Sequence, residues 1–317
     1  MNRRDFLKTS AVSTGLAMAG NLLAADKKTY RAGLIGTGWY GMVDLRHLMD
    51  NCPNVEVVAM CDVDSKNLNE AADEVAGRQK DRPALFHDFR DLLKPKNLDI
   101  VLIGTPDHWH ALTAIAAMES GADVYCEKPV SHTFLEGKAM VHTARKLGRV
   151  VQINTQRRST PHFISAREFI KEGNLGRIGS IRAYCYYNMR AMGKVADTQP
   201  PKTLDYDFWV GPAPYRPFNP LMHPRGWRNF MEFSNGILGD MGVHMLDAMR
   251  WMMGVGYPKR ISSSGGIYVS KGGTANTTDT QTVSFDYGDF DVVWEHRMYG
   301  RGEIGRASCR ERVCYVV

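Results

Sequence analysis

The stretch Gly33-Leu34-Ile35-Gly36-Thr37-Gly38-Trp39-Tyr40-Gly41 decides how this chain is read. It extends an apolar run from Tyr30 that reads as a strand, and WYGMVDLRHLMDN (39–51) comes next as a helix. Three glycines, spaced Gly-x-Gly-x-x-Gly, stand at the junction. Gly36 permits the tight turn, Gly38 lets the backbone approach a pyrophosphate, and Gly41 allows close helix–strand packing. The helix N-terminus then meets the negative charge of the ligand. In a chain with 30 glycines the spacing alone is weak, and its place in the first strand–helix unit gives it weight. Trp39 and Tyr40, inside the same turn, join the cofactor-binding candidates. The second strand, VEVVAMC (55–61), ends at Asp62, a carboxylate placed to accept from adenosine ribose hydroxyls. It would repel a 2′-phosphate, so NAD is expected over NADP, with Lys66 nearby keeping NADP open.

The same alternation continues outward. ALF (84–86) is a weak third strand, LDIVLIG (98–104) a strong fourth, ADVYCEKP (122–129) a fifth and RVVQIN (149–154) a sixth. Helices are expected at 67–76, 109–121 and 134–148. Strands alternating with helices of this length predict an α/β fold, a Rossmann doubly wound parallel sheet over residues 28–154. Beyond it the pattern changes to a second, α+β domain, expected over 155–302. There 161–172 reads as a helix and IGSIRAYCYYNMR (178–190) alternates like an antiparallel strand. A long loop spans 206–230, a helix 237–253, and TQTVSFDYGDFDVVWEHR (280–297) reads as a hairpin.

The formal charge of +6 is diluted, because three of those charges belong to the first 25 and last 15 residues. No Lys/Arg block suggests a nucleic-acid surface, and no stretch after the N-terminus is apolar enough to span a membrane. Residues 1–25, which open MNRRDFLKTSAVSTG, resemble a twin-arginine signal peptide: Arg3-Arg4, a mild apolar stretch, then a small-residue cleavage site. The expectation is export to the periplasm through the twin-arginine translocon. Residues 303–317 lack periodicity and are expected to be a non-native, adaptor-derived tail that cuts the second domain short. The six cysteines contain no Cys-x-x-Cys, and Cys61 and Cys126 end apolar runs, so neither a disulfide framework nor a zinc site is expected. His108 and His110 are two apart, a poor pair for a metal on a helix.

Glu127-Lys128-Pro129 follows the fifth strand, and Thr105-Pro106-Asp107-His108-Trp109-His110 follows the fourth. The second domain carries Gly239-Asp240-Met241-Gly242-Val243-His244 and then Asp247. From about Tyr30 to about Tyr299 these motifs resemble the Gfo/Idh/MocA family, named for glucose–fructose oxidoreductase and inositol dehydrogenase. The resemblance implies NAD(P) in the first domain and, in the second, an open, largely antiparallel sheet that closes a sugar or polyol site and joins subunits into a homo-oligomer. It implies catalytic roles for Lys128, Asp240 and His244, with Thr105, Pro106, Glu127 and His110 beside the cofactor. The residue types agree: a histidine held by a carboxylate suits acid/base work, and an ammonium stabilises a forming alkoxide. Asp240, His244 and Asp247 are spaced to share one helix face. Arg157, Trp209, Arg225, Trp227 and Asp247 are the candidates for contact with substrate.

The expected activity is hydride transfer between a sugar, polyol or glycoside and a tightly held nicotinamide cofactor. A redox-assisted glycosidase and a non-catalytic nucleotide or sugar sensor are the rival readings.

Overall fold

Four of the six residues of β1 (Tyr30–Ile35) are buried, because both faces of this strand are covered. The computed structural model describes residues 28–186 and 193–299. The expected signal segment (1–25), the end of the 178–190 strand and the expected tail (303–317) lie outside the described residues. After β1 come α1 (Trp39–Asn51), β2 (Val55–Cys61), α2 (Ser65–Ala76), β3 (Ala84–Phe86) and α3 (Phe89–Leu93). Next are β4 (Ile100–Ile103), α4 (His110–Ser120), β5 (Asp123–Cys126), α5 (Phe134–Leu147) and β6 (Val151–Ile153). All six strands are parallel, in the order β3-β2-β1-β4-β5-β6. That order reverses between β1 and β4, which opens a crevice at their carboxyl ends.

Period-two alternation sends side chains to opposite faces. Ala32, Leu34, Val57, Met60 and Leu102 pack on α1 and α2 through Met42, Leu45, Leu68 and Val75. Ile35, Ala59, Val101, Ile103 and Val124 pack instead on α4, through Ala111, Ala114, Ala117 and Met118. The doubly wound expectation is therefore met on both sides of the sheet. Helix starts follow capping chemistry: Asp64 accepts from Lys66 N ahead of α2, and Thr133 and Glu136 form a capping box on α5.

The second domain contains α6 (Pro161–Lys171), β7 (Ser180–Tyr186), α7 (Tyr206–Val210), α8 (Val243–Met253), β8 (Arg260–Gly266), β9 (Thr280–Asp286) and β10 (Asp291–Arg297). Its sheet has the order β7-β10-β9-β8. The hairpin of β9 and β10 is antiparallel as expected, with Gly288 at φ +92° in its turn. Strand β7 corrects an expectation: it runs parallel to β10. Alternation reports that one face is buried and says nothing about direction, which here is set by a connection more than a hundred residues long. Strand β8 carries no apolar alternation (RISSSGG) and joins through its backbone ladder to β9. The expected loop 206–230 contains α7, capped by Asp205, and a 3-10 turn at Gly226–Asn229.

The expected helix 237–253 is interrupted at its start. Leu238–Gly242 forms a π-helical turn before α8 begins. A Cβ on Gly242 would meet Leu238 Cδ1 at 2.7 Å and the Trp294 ring at 3.5 Å, so glycine lets this turn settle on Trp294. Trp294 is fully buried, against Ala183, Cys185, Met245 and Val283. The two domains are stitched together beside the crevice. Ser65 N donates to Thr203 O (2.9 Å), Asp205 N to Val63 O (3.0 Å), and Trp109 Nε1 to Trp209 O (2.9 Å).

Replacing the ring that supports the π-helical turn should open a cavity the sheet cannot close. Trp294→Ala should lower the unfolding free energy by about 3–5 kcal/mol in denaturant titrations; a loss under about 1 kcal/mol would show that the site collapses around the gap.

Candidate active site

The glycine turn is built by backbone packed on backbone. Gly36 has φ +90°, and a Cβ there would meet Gly104 C at 2.6 Å. A Cβ on Gly41 would meet Gly36 O at 2.1 Å, and one on Gly104 would meet Gly41 Cα at 2.5 Å. Gly38 differs: nothing lies within 4 Å of its Cβ direction, which leaves open space at the N-terminus of α1. That helix has no side-chain cap and no acid in its first turn, so its first N–H groups and its dipole are available to an anion. These features fit the pyrophosphate of a dinucleotide. Gly104, adjoining the turn from β4, is a contributor that the sequence reading passed over.

Asp62 closes one end of the turn. It accepts from Thr37 N (2.7 Å), Thr37 Oγ1 (2.9 Å) and Asp64 N (2.9 Å). Burial pushes its carboxyl above the ordinary value, and the donated hydrogen bonds pull the other way. Lys66 is exposed and does not line the cleft, and Arg46 is tied to Glu74 at 2.6 Å. The adenosine end thus presents Asp62, Glu70 and Glu74, with Arg46 committed to Glu74, a set that favours NAD.

The cleft, about 680 Å³, runs from this turn to the face of the second domain. Among the expected cofactor residues, Gly36, Gly38, Trp39, Tyr40, Asp62, Thr105, Pro106, Glu127 and Lys128 line it. Gly41 lies behind it, in the packing position just described. His110 is not in the lining. It is buried, with its ring nitrogens facing Pro129 O (2.7 Å) and Thr105 O (2.9 Å), so it ties together the two loops that do line the cleft.

At the far end Lys128 and Asp240 meet across the domains, Nζ to Oδ1 at 2.6 Å and Nζ to the Asp240 carbonyl at 3.1 Å. Both side chains are more than nine-tenths buried. Arg228 Nε stands 3.1 Å from the same Oδ1, and its other arm is 3.5 Å from Asp107, which accepts from Ser234 Oγ at 2.8 Å. Burial alone would raise the Asp240 carboxyl; the Arg228 and Lys128 charges outweigh it and hold the group below its ordinary value.

His244 lines the cleft beside this pair, and its pKa is lowered to about 3 by burial, then by the charges of Lys128 and Arg157. Asp240 does not hold the imidazole as expected, since its carboxylate is taken up by Lys128 and Arg228 and His244 Nδ1 has no hydrogen-bond partner. Asp247 is also diverted. It pairs with Arg158 at 2.5 Å and lies outside the cleft lining. The π-helical turn places Asp240 out of the simple four-residue register with α8.

Arg157, Trp209, Arg225 and Trp227 all line the cleft. Trp209 is nonetheless largely a packing residue, stacked on Tyr206 and buried. Arg225 lies over the Trp39 ring at 4.5 Å, near the glycine turn, and Arg228 stacks on Trp227 at 3.9 Å.

Beneath Lys128 lies a second polar knot that the sequence reading missed. Asn154 Nδ2 donates to Asp44 Oδ1 (3.0 Å) and to Glu127 Oε1, while Lys128 N donates to Glu127 Oε2 (3.2 Å). Asp44, from α1, also hydrogen-bonds Glu127; burial first, and the Glu127 charge second, push its carboxyl up to about 8. The pair thus holds a proton at neutral pH and links the cofactor helix to the lysine loop. An aspartate in an amphipathic helix carries no signal of such a partner.

Residues 30–155 match the oxidoreductase family's NAD-binding Rossmann fold, and 181–265 match its C-terminal α/β domain. Inositol 2-dehydrogenase of Salmonella typhimurium is 33% identical over 150 residues, 47% of this chain and 44% of that one. A glycosyl hydrolase family 109 protein of Stenotrophomonas maltophilia is 29% identical over 219 residues, 67% of this chain and 48% of that one. The chain therefore spans about half the length of these curated relatives. Among solved structures, the WlbA dehydrogenase of Chromobacterium violaceum, in complex with NADH and UDP-GlcNAcA, superposes with TM-score 0.68 at 21% identity, covering 87% of this chain and 69% of that one.

The shared proton makes a signed prediction. An aspartate ionises near 3.9 in the unfolded chain and near 8 here, so its ionisation opposes folding increasingly as pH rises through that window. Asp44→Asn keeps a donor toward Glu127, and its stabilisation, read as ΔTm, should be small near pH 4, grow toward pH 8 and then level off. A pH-independent ΔTm would remove the shared proton.

Proposed function

Because the chain belongs to the Gfo/Idh/MocA oxidoreductase family, we propose that it transfers a hydride between a hydroxyl-bearing carbon of a sugar, polyol or glycoside and NAD. The observation that carries this reading is the buried Lys128–Asp240 pair beside His244, facing the same cleft as the glycine turn. Gly36, Gly38, Asp62, Thr105 and Pro106 would hold the dinucleotide, whose nicotinamide supplies the hydride acceptor. Lys128 has three ammonium protons and spends two directions on Asp240, which leaves a donor for a substrate oxygen gaining negative charge. His244, kept neutral by burial and nearby cations, takes the hydroxyl proton in oxidation and returns it in reduction. Asp240 acts on Lys128, holding its Nζ in place and balancing its charge.

The likeness to a glycosyl hydrolase family 109 protein favours one second reading, in which oxidation is transient and the net reaction is glycoside cleavage. We further propose that the Arg3-Arg4 segment directs export of the folded protein, that NAD is loaded beforehand and stays tightly bound, and that the second domain supports a homo-oligomer.

With a panel of sugars and polyols the protein should change nicotinamide absorbance. Lys128→Met should lower kcat by about 10²–10³-fold and His244→Ala by about 10²–10⁴-fold, with NAD still bound. Free sugar released from a glycoside without net NADH would favour cleavage; NAD binding with neither change would favour a sensor.

Arg3-Arg4→Lys-Lys should leave the protein in the cytosolic fraction, whereas the unaltered protein should reach the periplasm carrying nucleotide that denaturation releases. Periplasmic protein free of nucleotide would overturn the tight-binding part.

A further inference from the structure

The charges around His244 can be paired off one by one. Lys128 and Arg228 share Asp240, and Arg228 also faces Asp107, so these two cations are matched by two buried carboxylates. Glu127 turns to Asp44 and Asn154. Arg158, the next residue along, is taken by Asp247. Arg225 stacks on Trp39 at the glycine turn, where the pyrophosphate would bring its own negative charge. That leaves Arg157. It lines the cleft, makes no ion pair among the described residues, and rests its guanidinium 5.4 Å from the Phe163 ring centroid.

We propose that Arg157 is the specificity-determining residue of this cleft and that it binds the carboxylate of an acidic sugar, a uronate or aldonate. The inference rests on the oxidoreductase reading of the cleft. A planar guanidinium offers two parallel N–H donors to a carboxylate, and a neutral sugar would leave that cation without a counter-charge. Oxidised nicotinamide, held at that end as the proposed reaction requires, would add a further positive charge and strengthen the demand for an anion there.

The arrangement also serves the proton transfer. Arg157 is one of the two cations that most depress His244. A substrate carboxylate that neutralises Arg157 makes the imidazole a stronger base only when the correct substrate is present. Binding of the acidic group and competence of His244 are then coupled through one side chain.

The test compares matched sugars on the NADH-loaded protein by calorimetry: glucuronate against glucose, and galacturonate against galactose. The uronates should bind at least about tenfold tighter, and the preference should shrink as salt rises from about 20 to about 200 mM. In Arg157→Gln the uronate-to-neutral affinity ratio should collapse toward one, and in Arg157→Lys it should be partly kept; a nucleotide titration of each variant reports that it is folded. Equal or tighter binding of the neutral sugars, binding of neither class, or a preference that survives Arg157→Gln would overturn the proposal. A uronate preference in binding, with no nicotinamide absorbance change for any sugar, would support Arg157 as the carboxylate ligand while sinking the hydride-transfer reading.

Discussion

Lys128 and Asp240 lie on different domains, and each is buried where an unpaired charge would be untenable. Desolvating a lysine or an aspartate costs several kcal/mol per ion, and only close, hydrogen-bonded pairing offsets it. The 2.6 Å contact therefore constrains how the two domains face one another as much as it prepares a site. Arg228, Asp107 and Ser234 extend the constraint, so the floor of the cleft is a linked set of charges with few free degrees of freedom. Everything placed around that floor, from the π-helical turn to the loop after β5, has to keep those partners within reach.

The cleft is also polarised along its length. Acids gather at the adenosine end, where Asp62, Glu70 and Glu74 stand, and surplus positive charge gathers beside His244. This separation suits the two different demands that the proposed reaction would place on the same groove. A ribose needs hydrogen-bond acceptors, and an oxygen whose carbon gives up a hydride needs donors and positive potential. Burial first, and then the charges of Lys128 and Arg157, depress the basicity of His244 at that end.

How much of this was legible in the residues depended on whether the signal was local. The bounds of α1 and the sheet alternation of β1, β2 and β4 were readable because glycine spacing and apolar periodicity are properties of a few neighbouring residues. The direction of β7 was not readable, because pairing is decided by a strand more than a hundred residues away. Strand β8 has no apolar face to announce it, and α7 hides in a loop rich in proline and aromatics. Lys128, Asp240 and His244 were named from their motifs and share one cleft lining, whereas the expected hydrogen bond between the last two is replaced by two cations competing for Asp240. Asp247 and His110 were drawn off by Arg158 and by loop carbonyls, partners that spacing on a helix cannot reveal.

By itself the sequence determined a strand–glycine turn–helix start, the alternating elements of a parallel sheet, and which residue types were on hand for the proposed hydride chemistry. These rest on short-range sterics: which residues tolerate a tight turn, and which faces of a helix or strand are apolar. The tertiary structure alone decided who pairs with whom. It set Lys128 against Asp240, raised the Asp44 carboxyl beside Glu127, and left Arg157 and Arg225 as cleft-lining cations without an acidic partner among the described residues. Charges interact through space at distances that chain order does not encode, and burial sets how strongly they do so.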